Sequence, residues 1–183
     1  VMRAIALELA PLVADKDIEF DIETQSAPIR AHEWMLRELA RKHGVITVFN
    51  PAPAAKIDPA IYVLCDYVTP NETEAAEITG VPVNTVDEAR KAGDALLKLG
   101  ARNALITLGS NGALLHGQGQ SVHVPTYKVK VVETTGAGDA FNGAFAVAIG
   151  EGRAPVEAMR FACACAALSV TKAGTAPSMP MRG

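Results

Sequence analysis

Residues 134–142 read Thr134-Thr135-Gly136-Ala137-Gly138-Asp139-Ala140-Phe141-Asn142. Two glycines flank an alanine, so almost no side-chain bulk precedes the helical run at 138–149. The first backbone N–H groups of a helix have no carbonyl partner within it, and the aligned peptide dipoles add partial positive charge at that end. Without bulky side chains an anion can approach those groups directly. Asp139 stands in the first turn, where it is placed to take a proton from an alcohol attacking a bound phosphate. Taken alone, the residues fit equally well a plain glycine turn with an acid that complements the dipole.

Two further elements of the same kind precede this one. Residues 104–107 form an apolar run that feeds Thr107-Leu108-Gly109-Ser110-Asn111-Gly112, a turn with two glycines and hydroxyl donors suited to a nucleotide's phosphates. Residues 61–68 form another apolar segment, ending at Thr69-Pro70-Asn71 and opening a short helix that Gly80 closes. At its start lies Asn71-Glu72-Thr73-Glu74, whose Glu74 carboxylate suits magnesium held through water. Each also has a plain reading, as an ordinary turn and a solvated helix start.

Farther upstream, residues 4–13 have the pattern of a helix end, and 18–22 alternate as a strand ending at Glu23. Residues 28–43 carry helical periodicity, stop at Gly44 and feed an apolar strand at 45–49, followed by the proline-broken loop 50–53. A helix over 85–99 is predicted, with Thr85 as N-cap and Gly100 as the stop signal. Residues 112–132 read as short antiparallel strands turning at 117–119, and two helices, 138–149 and 155–171, finish the chain. Strands alternating with helices predict an α/β layered sheet, mainly parallel, with helices on both faces and ligands beyond the strand C-terminal ends.

The chain has 183 residues, 49% of them hydrophobic, enough for one sizeable core. Seventeen Lys and Arg against twenty Asp and Glu give a net charge of −3, which offers no footprint for nucleic acid or an anionic membrane. A small-molecule partner is expected. With no apolar run of about 18 residues and no signal-peptide pattern, a cytoplasmic protein is expected. Cys65, Cys163 and Cys165 lack zinc spacing and read as buried thiols.

The motifs also occur in a recognisable order. Val131 to Ala146, VVETTGAGDAFNGAFA, resembles the C-terminal signature of the PfkB carbohydrate kinases, and NPAPA, TPNETEAAEITG and KAGTAPSMP resemble its ribokinase group. The resemblance implies a ribokinase-like fold and an ATP-dependent sugar kinase that phosphorylates the primary hydroxyl of ribose or a related pentose. It places the catalytic base on Asp139, the anion hole on Gly136, Ala137 and Gly138, and nucleotide contacts on Asn71, Thr107, Gly109, Gly112 and Cys163. Glu23 falls on a sugar-binding glutamate, and Glu74 on the residue that bears on magnesium. A potassium site is implied at Glu133, Thr135, Ser169, Lys172, Gly174 and Ser178, mostly through backbone carbonyls.

Two positions depart from the family's usual residues. Glu133 replaces an aspartate, and Cys163 stands where asparagine or histidine commonly flanks the adenine. The resemblance also implies that residues 1–183 are the C-terminal portion of a catalytic domain. The N-terminal half, with its glycine-glycine sugar motif, second sugar-binding aspartate and the sheet lid through which full-length relatives often form homodimers, is not in the sequence. Two other readings stay open: a non-catalytic nucleotide- or cation-binding remnant, and a kinase for another sugar such as deoxyribose.

Overall fold

The computed structural model describes residues 45–52 and 59–181, all within one compact unit, Ala40–Gly183. Glu23 and the elements expected over 4–43 lie outside the described residues. Among the described residues five strands form one sheet in the order β1 (Val48–Phe49), β2 (Tyr67–Val68), β3 (Asn103–Thr107), β4 (Ala113–Gly117) and β5 (Gln120–Val124). β1, β2 and β3 pair in parallel, while β3 with β4 and β4 with β5 are antiparallel. The antiparallel part is the meander expected from the turn residues at 117–119.

The strands alternate their side chains between two apolar layers, as a sheet covered on both faces must. Val68, Ala104, Ile106 and Leu114 point toward α1 (Glu72–Thr79) and α2 (Val86–Lys98). Tyr67, Leu105, Ala113 and Leu115 point the other way, toward α3 (Ala137–Gly150) and α4 (Pro155–Ser169). Phe145 is fully buried in this second layer, its ring edge-on to Tyr67 at 4.9 Å. The chain is therefore the expected layered α/β protein with helices on both faces.

Local chemistry sets the helix limits. Thr85 accepts the Glu88 N–H while Glu88 accepts the Thr85 N–H, so a capping box starts α2 where the sequence predicted. Pro155 opens α4, where a missing N–H costs nothing.

Three expected elements are modified. The strand predicted over 45–49 is reduced to Val48–Phe49, because the Thr47 N–H and hydroxyl are held by the Asp66 carboxylate and the Leu64 carbonyl. The apolar segment 61–68 divides into a 3-10 turn, Pro59–Leu64, which buries Ile61 and Tyr62, and the short strand β2. Pairing expected as far as 132 ends at Val124, since Pro125 has no N–H to continue the ladder.

Candidate active site

The strand register brings the Asn71 and Gly109 motifs to one edge of the sheet. Thr107 pairs with Ala113 and Ala113 with Val124, so the C-terminal ends of β3 and β5 lie in one row across the sheet. β5 runs in the same direction as β3 because two antiparallel steps restore it. The chain thus leaves β2, β3 and β5 on the same side, directly into Asn71 and Gly109 after β2 and β3, and after β5 into the irregular segment 125–135 that leads to Gly136.

At the end of β2, Asn71 and Glu74 hold each other. The Glu74 N–H donates to Asn71 Oδ1 and the Asn71 N–H donates to Glu74 Oε2, both at 2.9 Å, forming the capping box of α1. Glu74 is 9% exposed, so this bond fixes a nearly buried carboxylate. The adjoining turn is tied to it: Thr107 N–H donates to the Pro70 carbonyl at 3.0 Å.

The turn after β3 is a single 3-10 turn, Gly109–Asn111, closed by the Leu108 N–H on the Gly112 carbonyl at 2.8 Å. Gly112 has φ +92°, and a Cβ there would lie 2.0 Å from the Val124 carbonyl oxygen, so no other residue fits. His123 Nε2 donates to the Asn111 carbonyl at 2.6 Å and pins the turn to β5. A recess of about 380 Å³ lies against this turn, lined in part by Glu72, Thr85, Leu108 and Asn111. Asp139 is not among its walls and stands exposed at the start of α3.

The start of α3 has the open geometry that the glycines predict. Gly136 is the N-cap with φ +83°, and no side chain caps the helix. The Ala137 N–H donates to the Thr134 carbonyl at 3.2 Å, whereas the Gly138 and Asp139 N–H groups find no backbone acceptor among the described residues. Of the three residues expected to form an anion hole, Ala137 therefore has its N–H already engaged. The N–H of Asp139 joins Gly138 as an open donor, which the sequence did not single out.

The residues expected around a monovalent cation gather behind this turn. Val132 and Glu133 N–H groups both donate to the Val170 carbonyl, at 2.8 and 3.2 Å, joining the strand exit to the end of α4. Glu133 Oε2 accepts the Gly174 N–H at 2.7 Å. That bond, with a second from Thr135, holds the Glu133 carboxyl below its ordinary range. Ser169 and Ser178 are each 2% exposed, and their hydroxyls donate to the Ala166 and Thr175 carbonyls. The carbonyls of Thr135, Lys172 and Gly174 receive no backbone N–H among the described residues, whereas that of Ser169 accepts from Lys172 at 3.3 Å.

Two features escaped the sequence. Thr175 and Met179 pack against Gly136, each with an atom 3.4 Å from where its Cβ would be, so the C-terminal turn abuts the helix start. Asn142 Oδ1, one turn after Asp139, is buried without a hydrogen-bond partner among the described residues. An amide within an otherwise apolar helical run was the available signal for it. Cys163, by contrast, lies in the second core layer at 3% exposure, and burial pushes its thiol up to about 11. This agrees with the buried thiol read from composition.

A sheet with helices on both faces, and glycine turns and a helix start beyond its strand ends, puts the chain among layered α/β proteins with ligand sites at that edge. Within that class it belongs to the pfkB family of carbohydrate kinases, whose model matches residues 31–182. A deoxyribokinase of Salmonella typhi is 43% identical over 144 residues, 78% of this chain and 47% of that protein. A ribokinase of Haemophilus influenzae is 42% identical, covering 79% of this chain and 47% of its own length. The structure of Arabidopsis thaliana ribokinase complexed with ribose and ATP superposes with a TM-score of 0.76 at 37% identity, covering 79% of this chain and 47% of that one. The chain spans about half the length of the curated relatives it matches.

Proposed function

We propose that these residues are the C-terminal portion of an ATP-dependent sugar kinase that transfers the γ-phosphoryl group to the primary hydroxyl of ribose or deoxyribose. The observation that carries this reading is the parallel pairing of β2 with β3, tied by the Thr107 N–H on the Pro70 carbonyl, which brings the Asn71 helix start and the Gly109 turn side by side, with β5 leaving the sheet on the same side ahead of the Asp139 motif. Relatives named for both sugars are about equally similar, so the pentose is left as that pair.

In this reading Asp139 accepts the proton of the sugar hydroxyl as its oxygen attacks the γ-phosphorus and the bond to the ADP oxygen breaks. The open N–H groups of Gly138 and Asp139 receive the charge that spreads over the phosphoryl oxygens. Thr107, Gly109 and Gly112 shape the turn for the nucleotide phosphates, and Asn71 orders the helix start beside it.

Glu74 would hold magnesium through water with the carboxylate oxygen that Asn71 does not occupy. Potassium would sit among the carbonyls of Thr135, Lys172 and Gly174, which lack backbone donors among the described residues, with Glu133, Ser169 and Ser178 shaping the loops around them. When bound, magnesium would neutralise the phosphates and potassium would set the field behind the helix start. ATP, a small sugar and a second copy of the full-length protein are the proposed partners.

The test is Asp139→Asn in the complete enzyme. Turnover is expected to fall by about 10²–10⁴-fold with nucleotide binding retained. Turnover near the parent level would sink the base assignment. Calorimetric ATP binding by residues 1–183 without sugar-dependent ATP consumption would favour a non-catalytic remnant instead.

A further inference from the structure

We propose that Ser121, His116 and Asp94 form a second reactive centre, in which Ser121 is an activated nucleophile that accepts small acyl groups from esters. The three come from α2, β4 and β5, on the face of the sheet that α1 and α2 cover, and none of them belongs to the Asp139 site. His116 Nδ1 lies 3.0 Å from Ser121 Oγ, and His116 Nε2 lies 2.9 Å from Asp94 Oδ1. Nucleophile, base and orienting carboxylate within hydrogen-bond reach are the arrangement that nucleophilic catalysis requires.

The hydrogen-bond directions are mutually consistent. A carboxylate only accepts, so the His116 Nε2–H donates to Asp94 and a lone pair is left on Nδ1. The Arg90 Nε–H donates to Ser121 Oγ at 3.3 Å, so that oxygen accepts from the guanidinium and its own proton points to His116 Nδ1. The guanidinium, anchored on Asp87 by an ion pair, also stabilises negative charge that develops on Oγ.

The imidazole is held in place. Its side chain is 15% exposed and lies over Gly93, where a Cβ would come within 2.8 Å of the ring. A recess of about 280 Å³ opens beside it, bounded by Leu97, His116 and the hairpin turn through Gly117, Gly119 and Ser121. Its size admits a short acyl chain, and Ser121 itself is exposed.

The step is an acyl transfer. Ser121 Oγ bonds to the ester carbonyl carbon while His116 Nδ1 takes the hydroxyl proton. The carbon–oxygen bond to the alcohol then breaks, and His116 returns the proton to the departing alcohol. Water repeats the sequence in reverse to free the serine and release the acid.

Incubating the protein with p-nitrophenyl acetate and locating acetyl groups by mass spectrometry tests this. Acetylation of Ser121 is expected, together with at least about a tenfold loss of its rate in His116→Ala and in Gly93→Ala, whose new methyl displaces the ring. Circular dichroism melting of each variant separates loss of reactivity from loss of fold, and Ser121→Ala identifies the modified position. An unmodified Ser121 together with p-nitrophenol release no faster than in Ser121→Ala, or a Ser121 rate unchanged in a folded His116→Ala protein, would overturn the proposal.

Discussion

The carboxylate of Glu133 accepts the backbone N–H of Gly174 at 2.7 Å across 41 residues of sequence, tying the strand exit before the helix start to the C-terminal turn. The bond stabilises the charged carboxylate, so the folded-state pKa lies below the unfolded one. Its contribution is present above the unfolded value and is lost as pH falls through the lower folded value. The Gly174 amide proton shift, followed by NMR, is expected to titrate below the ordinary glutamate range. Glu133→Gln should abolish that titration, and a midpoint at the ordinary value in the parent would contradict the bond.

Asn71 supports α1 whatever else it touches. Asn71→Ala removes the side-chain acceptor for the Glu74 N–H, while the backbone N–H at position 71 still donates to the Glu74 carboxylate. A loss of about 1 kcal/mol is expected, the usual magnitude for an N-cap deletion. Urea unfolding measures it. A loss of stability without any change in nucleotide affinity would reduce Asn71 to a capping residue and remove it from the nucleotide site.

Gly112→Ala tests the turn after β3 more severely. The added Cβ would fall 2.0 Å from the Val124 carbonyl oxygen in a backbone conformation with φ +92°, so β5 and the turn cannot both keep their places. Lower thermal stability is expected together with weaker ATP binding by the complete enzyme. Parent-level values of both would mean that the turn relaxes freely.

How far these relationships could be read beforehand depended on their span in sequence. Thr85 with Glu88, and Pro155 at a helix start, are local signals, and both helices begin where those residues predict. Gly136 and Gly138 likewise announce the open helix start. The edge strand was overestimated because what limits it, Thr47 on Asp66, joins residues 19 apart. For Cys163 the motif marks a position along α4, whereas its burial depends on which face of α4 meets the sheet. Asp94, His116 and Ser121 carry no shared spacing and meet only through the packing of α2 on the hairpin.

The buried thiol gives a prediction that needs no assumption about function. Burial raises the Cys163 pKa to about 11, so at pH 8 only about one molecule in a thousand carries the reactive thiolate. A group whose folded pKa is raised contributes stability below the unfolded value and loses it as pH rises toward the folded one. Iodoacetamide is expected to spare Cys163 in the native protein and to label all three cysteines in denaturant. Rapid native labelling of Cys163 would show that α4 opens or that the thiol reaches solvent.

Asn142 is the remaining anomaly, a buried amide oxygen with no donor among the described residues, one turn along α3 from Asp139. An unsatisfied buried polar atom costs about 1–3 kcal/mol, and replacing it with an apolar group of similar shape recovers part of that cost. Asn142→Leu is therefore expected to raise the unfolding free energy of this chain by about 1 kcal/mol in denaturant titrations. Both residues have the same branched shape at Cγ, so little packing is disturbed. A loss of stability of similar size would mean that the amide is satisfied after all, whether by water or by chain outside the described residues. A gain would identify Asn142 as a residue retained at the expense of stability, which is the pattern expected of a group whose partner arrives only when the rest of the site is assembled.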